Sequence, residues 1–400
     1  MSSRQVLFSL SICVLVIISC RTEQQSLVYN NQSVMRAKQT LDSLYSNYSV
    51  PGTCLLRENY PSNIADYTAT YLASEEQKNT PNEYSYLWPY AGTFSAVNAL
   101  FAITQDTLYQ SLLDNRVLIG LEKYFDSRRS PEGYASYINT APLSDRFYDD
   151  NIWLGIDFTD MYLLTQKPKY LQKAQFIWNF IESGIDDELG GGIYWCEQRK
   201  RSKNTCSNAP GSVFALKLFQ ATKDSIYLSK GEQLYNWTKE QLQDSTDYLY
   251  FDHITLDGKI GKAKFAYNSG QMMQSASMLY QFTGKKEYLA DAQNIAKGCH
   301  NYFFMNYTPE NTPSFKIIKK GDVWFSAVML RGFIELYLID NNKTYLDSFN
   351  RSLDYAWENA RDEKGLFETD FTGNSQDSQK WLLTQAAMVE MYARMAAIKL

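Results

Sequence analysis

"TQKPKYL", which begins at Thr165, is the segment that best predicts how this chain folds. Related segments repeat its pattern of a Thr, four further residues and a Tyr: "TQDTLYQ" from Thr104, "TKDSIYL" from Thr222, "TGKKEYL" from Thr283 and the variant "DNNKTYL" from Asp340. Successive segments start about 60 residues apart, a period longer than those of the usual solenoid repeats. The chain is therefore predicted to contain a long structural repeat.

Each of these segments lies between two runs with helical periodicity. The runs before them are apolar on most sides, as in helices buried all round: 153–164, 213–220, 272–282 and 328–339. The runs after them carry their charges on one face, as in helices with one side in water: 170–181, 227–242, 288–302 and 345–360. Each segment is thus predicted to be the tight turn of a helical hairpin with an inner and an outer helix.

Counting these runs predicts an all-α fold. An amphipathic helix over about 33–48 comes first. Five hairpins follow, with inner helices starting near Trp88, Asp149, Ala209, Tyr267 and Val323, and an inner helix over about 381–398 ends the chain. Six buried helices surrounded by six amphipathic ones indicate a closed (α/α)6 toroid, with an open superhelix of helix pairs as the alternative. "GGGIYWCEQ" from Gly190 and "YLYFDHITLDG" from Tyr248 are interpreted as hairpins or extended loops over one mouth, where we expect the functional site.

The first nineteen residues have the pattern of an export signal. Arg4 precedes an apolar run over 6–18 that is too short for a transmembrane helix, and Ile17-Ile18-Ser19-Cys20 follows the pattern of a bacterial lipoprotein box. We expect lipidation of Cys20, a flexible tether over 20–32 and one catalytic domain over 33–400. The protein would then lie in a bacterial cell envelope and contact the membrane only through its lipid anchor. A plain secretory signal is the alternative.

The composition excludes some partners and favours others. Aromatic residues make up 15% of the chain, with 30 Tyr and 8 Trp, which suits carbohydrate clefts and also protein interfaces. A net charge of −5 without a basic block argues against nucleic acid, and two His argue against a His-rich metal centre. We therefore predict a monomer without cofactor or metal. Cys196 and Cys206 are the best candidates for a disulfide, with free thiols as the alternative.

Taken together, the predicted starts of the six inner helices combine aromatic side chains with Asn, Asp, Ser and Gln. Aromatic faces stack on sugar rings and planar amides bind hydroxyls, whereas the same polar residues are also ordinary helix caps. Capping is the simpler explanation at any single position, but the six segments together favour a sugar-binding mouth: "YLWPY" from Tyr86, "FYDDNIW" from Phe147, "TCSNAPG" from Thr205, "FAYNSGQ" from Phe265, "DVWFS" from Asp322 and "QKWLLT" from Gln379.

Asp149 and Asp150 are the candidate catalytic pair. At a helix N-terminus, one carboxylate caps free N–H groups and its pKa is lowered, while charge repulsion and aromatic surroundings raise the pKa of the second. Glycosidases divide the roles of nucleophile and acid in this way, and retention needs carboxyl groups roughly 5 to 5.5 Å apart. A doubled helix cap and a metal corner are the alternatives.

Four segments carry a resemblance to a known family. They are "YDDNIWLGIDFTDMYLLTQKPKYLQKA" from Tyr148, "GGGIYW" from Gly190, "KNTCSNAPGSVFALKL" from Lys203 and "YNSGQMMQSASMLYQFTG" from Tyr267. In order and spacing they resemble glycoside hydrolase family 76, the endo-α-1,6-mannanases of bacteria and fungi. The resemblance implies an (α/α)6 fold and a retaining double displacement, with Asp149 as nucleophile and Asp150 as acid/base. "DVWFSAVMLRG" from Asp322 departs from the family pattern, although Arg331 lies where a family Arg would.

These observations predict a hydrolase of internal α-1,6-mannosidic linkages in mannan or mannooligosaccharides. The expected aromatic walls are Tyr148, Trp153, Trp88, Trp195, Tyr267 and Trp324, and the expected polar contacts to sugar come from Asn151, Asn208, Asn268 and Arg331. A mannan transglycosidase with the same fold and a non-catalytic glycan-binding lipoprotein are the alternative functions.

Overall fold

The computed structural model describes residues 31–62, 69–74, 82–310 and 312–398. Its helices are, in chain order, α1 (Asn31–Tyr48), α2 (Leu87–Thr104), α3 (Thr107–Leu112), α4 (Leu118–Leu121), α5 (Tyr148–Thr165), α6 (Pro168–Glu182), α7 (Thr205–Thr222), α8 (Ser225–Leu242), α9 (Ala266–Thr283), α10 (Lys286–Phe303), α11 (Val323–Asp340), α12 (Thr344–Asn359) and α13 (Leu382–Ala396). The predicted signal, Cys20 and most of the predicted tether lie outside the described residues.

Six of these helices form an inner ring: α2, α5, α7, α9, α11 and α13. They are buried along most of their length, and α13 packs against both α11 and α2, which closes the ring. Amphipathic helices surround them, and the second outer position is built from α3, a π-helical turn (Leu113–Val117) and α4. The predicted (α/α)6 toroid is confirmed. Within the described part of the chain, no helix has the length and apolar character needed to cross a bilayer.

The repeated Thr has a structural role in the hairpin turns. Thr165 ends α5, donates its hydroxyl to the Met161 carbonyl at 2.6 Å and accepts the Lys167 backbone N–H at 3.3 Å. The residue between them, Gln166, is left-handed with φ 56°, which ends the helix in a single step. The same position is left-handed in all five hairpins, at Gln105, Gln166, Lys223, Gly284 and Asn341.

The repeated Tyr connects neighbouring outer helices. Tyr170 and Tyr288 are buried at the third residue of their helices, and their hydroxyls donate to carboxylates of the preceding outer segment. Tyr170 bonds to Asp114 at 2.7 Å, and Tyr288 bonds to Glu232 at 2.6 Å. The turn signature therefore encodes both the reversal of the chain and the packing of successive repeats.

The third inner helix begins earlier than the sequence indicated. Its start was predicted near Ala209, one residue before Pro210, but α7 begins at Thr205 and continues through Pro210. Strand β5 leads directly into the first turn, so the break expected before Pro210 does not occur. The extra turn places Cys206 at the mouth of the ring.

Short strands lie where the chain passes from an outer to the next inner helix. The two segments predicted as hairpins form one antiparallel sheet in the order β4 (Tyr194–Cys196), β5 (Arg199–Asn204), β6 (Phe251–Thr255) and β7 (Ile260–Lys264). Three further pairs were not predicted: β1 (Asn59–Tyr60) with β10 (Lys380–Trp381), β2 (Phe125–Asp126) with β3 (Gly133–Tyr134), and β8 (Phe304–Tyr307) with β9 (Phe315–Ile318). The sheet forms one side of the mouth.

The fourth residue of four inner helices holds the chain segment that precedes the helix. Asn208 accepts the Ile193 N–H at 2.6 Å and donates to the Ile193 carbonyl at 2.9 Å and the Asn204 carbonyl at 2.8 Å. Equivalent bonds join Asn151 to Tyr134, Gln385 to Phe367 and Ser269 to Tyr250. The prediction that Asn151 and Asn208 bind sugar hydroxyls is wrong, because their amides are fully used by the backbone.

Replacing Asn208 with Ala should destabilise the fold by about 2 to 4 kcal/mol, because three buried hydrogen bonds are lost and backbone groups remain unpaired. Equilibrium unfolding in urea measures this change. Asn306→Ala, at an exposed position of β8, is the control and should change the free energy of unfolding by less than about 0.5 kcal/mol. Unchanged stability with weakened sugar binding would contradict the structural role.

Candidate active site

An open cavity of about 410 Å³ lies at the mouth where the inner helices begin. Its walls come from the first turns of α2, α5, α7, α9 and α11 and from strands β4, β5 and β6. The lining residues are Thr70, Tyr71, Trp88, Phe147, Asp149, Asp150, Trp153, Trp195, Ser202, Asn204, Cys206, Asp252, His253, Phe265, Tyr267 and Phe325. Both candidate catalytic carboxyl groups therefore face a space that a sugar can enter.

One helical position supplies most of the chemistry of this cavity. Trp88, Asp149, Cys206 and Tyr267 are each the second residue of an inner helix, and all four line the cavity. Because the ring repeats with nearly the same geometry, equivalent positions converge on its centre. Asp150 is the third residue of α5 and follows Asp149 into the same space.

The environment raises the pKa of both Asp149 and Asp150. Burial raises the pKa of Asp149 to about 7, although hydrogen bonds from the Cys206 thiol, the first backbone N–H groups of α5 and the Trp195 indole act in the opposite direction. Burial, and then the negative charge of Asp149, raise the pKa of Asp150 well above its usual range. Burial disfavours the anion of each carboxyl group, and the charge of Asp149 further disfavours the anion of Asp150.

The pKa values of the pair differ from the sequence prediction in one respect and agree with it in another. The pKa of one carboxyl group of the pair was predicted to be lowered by helix capping, but burial raises the pKa of both groups. Neither carboxyl group is at the N-cap, which is Phe147 and contributes no side-chain bond. The predicted difference between the two groups remains, because Asp149 receives hydrogen bonds and Asp150 is raised further by its neighbour's charge.

The aromatic walls contain four of the six predicted residues: Trp88, Trp153, Trp195 and Tyr267 line the cavity. Phe325, which was not predicted, stacks on Tyr267 with ring centroids 4.0 Å apart and planes 12° apart. Trp88 stacks on Phe325 as well, with ring centroids 6.1 Å apart and planes 19° apart. Trp195, from β4, packs against Phe147 with ring centroids 4.9 Å apart. These faces are suited to the C–H surfaces of sugar rings.

Two predicted aromatic residues lie outside the cavity. Tyr148 is fully buried beneath it, with its ring stacked on Phe180 at 4.9 Å. Trp324 is 1% exposed and packs edge-on against Trp153 at 6.1 Å. Since consecutive helical residues point about 100° apart, a shift of one residue places Phe325 in the wall and Trp324 in the core.

The predicted polar contacts of Arg331 and Asn268 are also not found at the cavity. Arg331 is buried in the inner ring and forms a bidentate ion pair with Glu390, with Nε donating to Oε1 at 2.6 Å and Nη2 donating to Oε2 at 2.8 Å. Asn268 is fully buried at the first turn of α9, and its amide has no hydrogen-bond partner among the residues described. Neither side chain lines the cavity, so the sugar-binding role assigned to them from sequence is wrong.

The β-sheet contributes polar residues that the sequence analysis did not select. Asp252 and His253 on β6 line the cavity, and His253 Nδ1 lies 2.8 Å from Asp252 Oδ2. The segment containing them was interpreted only as a hairpin or loop. The sequence did contain a signal for this site, because Asp252 stands next to His253 and the chain has two His in all. Cys206 was selected only as a disulfide partner of Cys196, yet both cysteines are buried free thiols.

The fold and the site together define a class of protein. A closed ring of six inner and six outer helical positions, with neighbouring carboxyl groups facing an aromatic cavity at one mouth, is the architecture of an (α/α)6 glycoside hydrolase. The comparison with protein families agrees with this class, since the profile of glycosyl hydrolase family 76 matches residues 58–319. The chain belongs to this family.

Solved structures and curated sequences show the same relationship. A family 76 mannosidase from Bacteroides thetaiotaomicron is 31% identical with a TM-score of 0.82, covering 92% of this chain and 98% of that one. An α-mannanase of the same species is 25% identical with a TM-score of 0.79, covering 92% and 96%. A mannan endo-1,6-α-mannosidase of Saccharomyces cerevisiae is 27% identical over 242 residues, 55% of this chain and 50% of the relative. The chain spans about half the length of that curated relative.

Replacing Asp150 with Asn should stabilise the fold at neutral and alkaline pH. A carboxyl group with a raised pKa binds its proton more tightly in the folded state, so its contribution to the free energy of unfolding falls as pH rises from about 4 towards the folded-state pKa. We expect the variant to exceed the wild type by about 1 kcal/mol or more at pH 8, and the difference to vanish near pH 4.

Urea unfolding at several pH values measures this difference. Asp187→Asn, which removes an exposed carboxyl group, is the matched control and should behave as the wild type at each pH. An Asp150→Asn variant that is no more stable than the wild type at pH 8 would show that the carboxyl group is not held in an unfavourable environment.

Proposed function

We propose that the protein is an endo-acting α-1,6-mannanase that cleaves with retention of configuration. The observation that carries this proposal is the pair of neighbouring carboxyl groups, both with raised pKa, in an open aromatic cavity of a family 76 chain. The names of its relatives support the substrate, since they include a mannosidase, an α-mannanase and a mannan endo-1,6-α-mannosidase.

The reaction proceeds in two displacements. Asp149 attacks the anomeric carbon of a bound mannosyl unit, and Asp150 donates its proton to the departing O6 as the glycosidic bond breaks. The glycosyl-enzyme ester forms on Asp149, and the shortened chain leaves. Asp150, now a carboxylate, takes a proton from water, which attacks the anomeric carbon and releases Asp149. The pair ends the cycle with the single proton that it held at the start.

The order of the two pKa values suits this division of roles. Asp149 receives hydrogen bonds from Cys206 and Trp195, so it is the group that ionises first. Asp150 keeps its proton because burial and the charge of Asp149 both disfavour a second anion. When Asp149 becomes an uncharged ester, that repulsion disappears, so Asp150 can act as the base in the second displacement.

The shape of the cavity favours a polymer as substrate. The cavity is open at the mouth of the ring, and the stacked rings of Trp88, Phe325 and Tyr267 line it together with Trp195. Asp252 and Asn204 add polar atoms from the sheet that can bind hydroxyls. Several aromatic faces in one open cavity can contact more than one sugar unit, which suits a polymeric substrate.

Asp149→Asn and Asp150→Asn should each lower kcat on linear α-1,6-mannan by about 1,000-fold or more, because each removes one of the two groups that react. Released reducing ends measure the rate, and NMR of the first product should show the α-anomer. Asp187→Asn is the control and should retain the wild-type rate.

The alternatives give different results in the same experiment. A transglycosidase would yield products longer than the starting oligosaccharide. A glycan-binding lipoprotein would bind mannan but release no reducing ends even as the wild type. A β-anomeric first product would contradict retention.

We further propose that the protein is a monomer anchored through lipidated Cys20 in a bacterial cell envelope. The start of α1 supports this arrangement: Tyr48 at its end bonds to the Lys380 carbonyl at 2.7 Å near the mouth, so Asn31 at its start lies at the opposite face. A tether that leaves from this face directs the catalytic mouth away from the membrane.

Cys20→Ser should move the protein from the membrane fraction to the soluble fraction and abolish incorporation of a labelled fatty acid. Mannanase activity per molecule should remain unchanged, because the substitution lies far along the chain from the cavity. Cys54→Ser, a half-buried thiol within the domain, is the control and should remain in the membrane fraction. Membrane retention of the Cys20 variant would refute the anchor.

A further inference from the structure

Tyr71 lines the cavity from a described segment, 69–74, that contains neither helix nor strand. Its half-buried ring makes an edge-on contact with Trp88, the second residue of α2, with ring centroids 5.2 Å apart and planes 83° apart. Trp88 in turn stacks on Phe325, and Phe325 stacks on Tyr267. Tyr71 is therefore the last ring of an aromatic row that begins at α9. The mechanism described above assigns no role to it.

The carboxyl group of Glu58 holds Tyr71 in this place. It accepts a hydrogen bond from the Tyr71 hydroxyl. Its oxygens also accept the Tyr86 backbone N–H at 2.8 Å, and the Trp381 indole N–H and the Asn82 amide N–H at 3.2 Å each. These partners are all donors, which suits an ionised carboxyl group because it can only accept. Glu58 thus joins the segment of Tyr71 to the starts of α2 and α13.

The backbone around Glu58 is itself fixed to the ring. The Glu58 carbonyl accepts the Leu382 N–H at 2.8 Å, and the next two residues form β1, which pairs with β10. Two residues earlier, the Leu56 carbonyl accepts the Ser85 N–H at 2.8 Å. Glu58 is 4% exposed and does not line the cavity, so it does not touch a bound sugar. Its effect on a substrate must therefore pass through a residue that it holds.

A purely structural role does not account for this arrangement. Ala69 and Leu72, which are 1% and 3% exposed, are enough to bury the segment against the mouth. A Phe at position 71 and an apolar residue at position 58 would fill the same space without a buried carboxyl group, whose removal from water is costly. Because the hydroxyl of Tyr71 is bonded to Glu58, the contribution of Tyr71 to a bound sugar comes from its ring.

We propose that Tyr71 is a sugar-binding residue of an outer subsite and that Glu58 is a positioning residue that holds it there. The inference rests on the proposed function and deepens it, because it names the residues through which the protein prefers longer α-1,6-mannan chains. Tyr71 contacts the rings of Trp88 and Trp381, whereas the proposed nucleophile Asp149 is on α5. A chain of sugar units that follows the aromatic row reaches Tyr71 at its end.

Linear α-1,6-mannooligosaccharides of increasing length test the subsite. Tyr71→Ala removes the ring and should raise KM for mannohexaose about tenfold with kcat changed less than about threefold, because a remote contact stabilises the bound substrate and the transition state equally. The loss in kcat/KM should be at least about fivefold larger on mannohexaose than on the shortest oligosaccharide that the wild type cleaves. Tyr302→Ala, which removes an exposed ring outside the cavity, is the matched control and should change neither parameter.

Two further variants test the positioning role of Glu58. Tyr71→Phe keeps the ring and removes its bond to Glu58, whereas Glu58→Gln keeps the shape of the side chain and replaces one acceptor with a donor. Each should raise KM for mannohexaose about threefold. In the Tyr71→Ala background, Glu58→Gln should change KM by less than about 1.5-fold, because the ring through which it acts is absent.

Equal losses of kcat/KM on short and long substrates, or an unchanged KM for mannohexaose, in Tyr71→Ala would overturn the subsite. An effect of Glu58→Gln that is the same with and without the Tyr71 ring would assign Glu58 to the fold alone and overturn its positioning role. Circular dichroism identifies a Glu58→Gln variant that has not folded, and in that case Tyr71→Phe reports on the same hydrogen bond.

Failure of the proposed function gives a different result. Asp149→Asn should no longer cleave mannan, so calorimetry on this variant measures the Kd for mannohexaose with and without Tyr71→Ala. A wild type that does not cleave mannan refutes the proposed function. A Kd that Tyr71→Ala leaves unchanged refutes the subsite, whether or not the wild type is an enzyme.

Discussion

The parallel direction of the six inner helices is the constraint on which the rest of the structure depends. Each hairpin reverses within two or three residues, because one left-handed residue ends the inner helix and the next helix begins almost at once. The return to the mouth is made by the outer helix and a longer segment. All first turns of the inner ring therefore meet at one face, where the second residues of four inner helices line one cavity.

Convergence of these first turns creates the electrostatic conditions of the site. Asp149 and Asp150 lie where helix N-termini favour negative charge, yet the aromatic walls remove them from water, and removal from water has the larger effect on their pKa. Two neighbouring carboxylates in such a place destabilise the folded protein at neutral pH. The rest of the ring offsets that cost through its extensive buried core and through ion pairs such as Arg331 with Glu390.

The sequence was informative where a residue has the same role in several repeats. The signature Thr bonds to the preceding turn of its helix in four hairpins, and Tyr170 and Tyr288 bond to the preceding outer segment, so the helices and the ring could be predicted from the spacing of the signature. Positions that differ by a single residue could not be assigned: Trp324 and Phe325 are both aromatic at a helix start, and only the helix rotation places Phe325 in the cavity. The early start of α7 and the joining of two hairpins into one sheet depend on contacts between distant segments, which no local pattern records.

The distinction between structural and chemical positions follows from helix geometry. The second and fourth residues of a helix point about 200° apart, so they face opposite sides of the inner helix. In α5 and α7 the fourth residue is Asn and holds the chain segment outside the ring, whereas the second residue faces the cavity. The fourth position is constrained to residues that can bond to a backbone. The second position carries Trp, Asp, Cys and Tyr in four successive helices, because the fold requires nothing of it except that it fit the mouth. The ring can thus vary its chemistry at the second position of these four helices, whereas the second residue of α11, Trp324, belongs to the core.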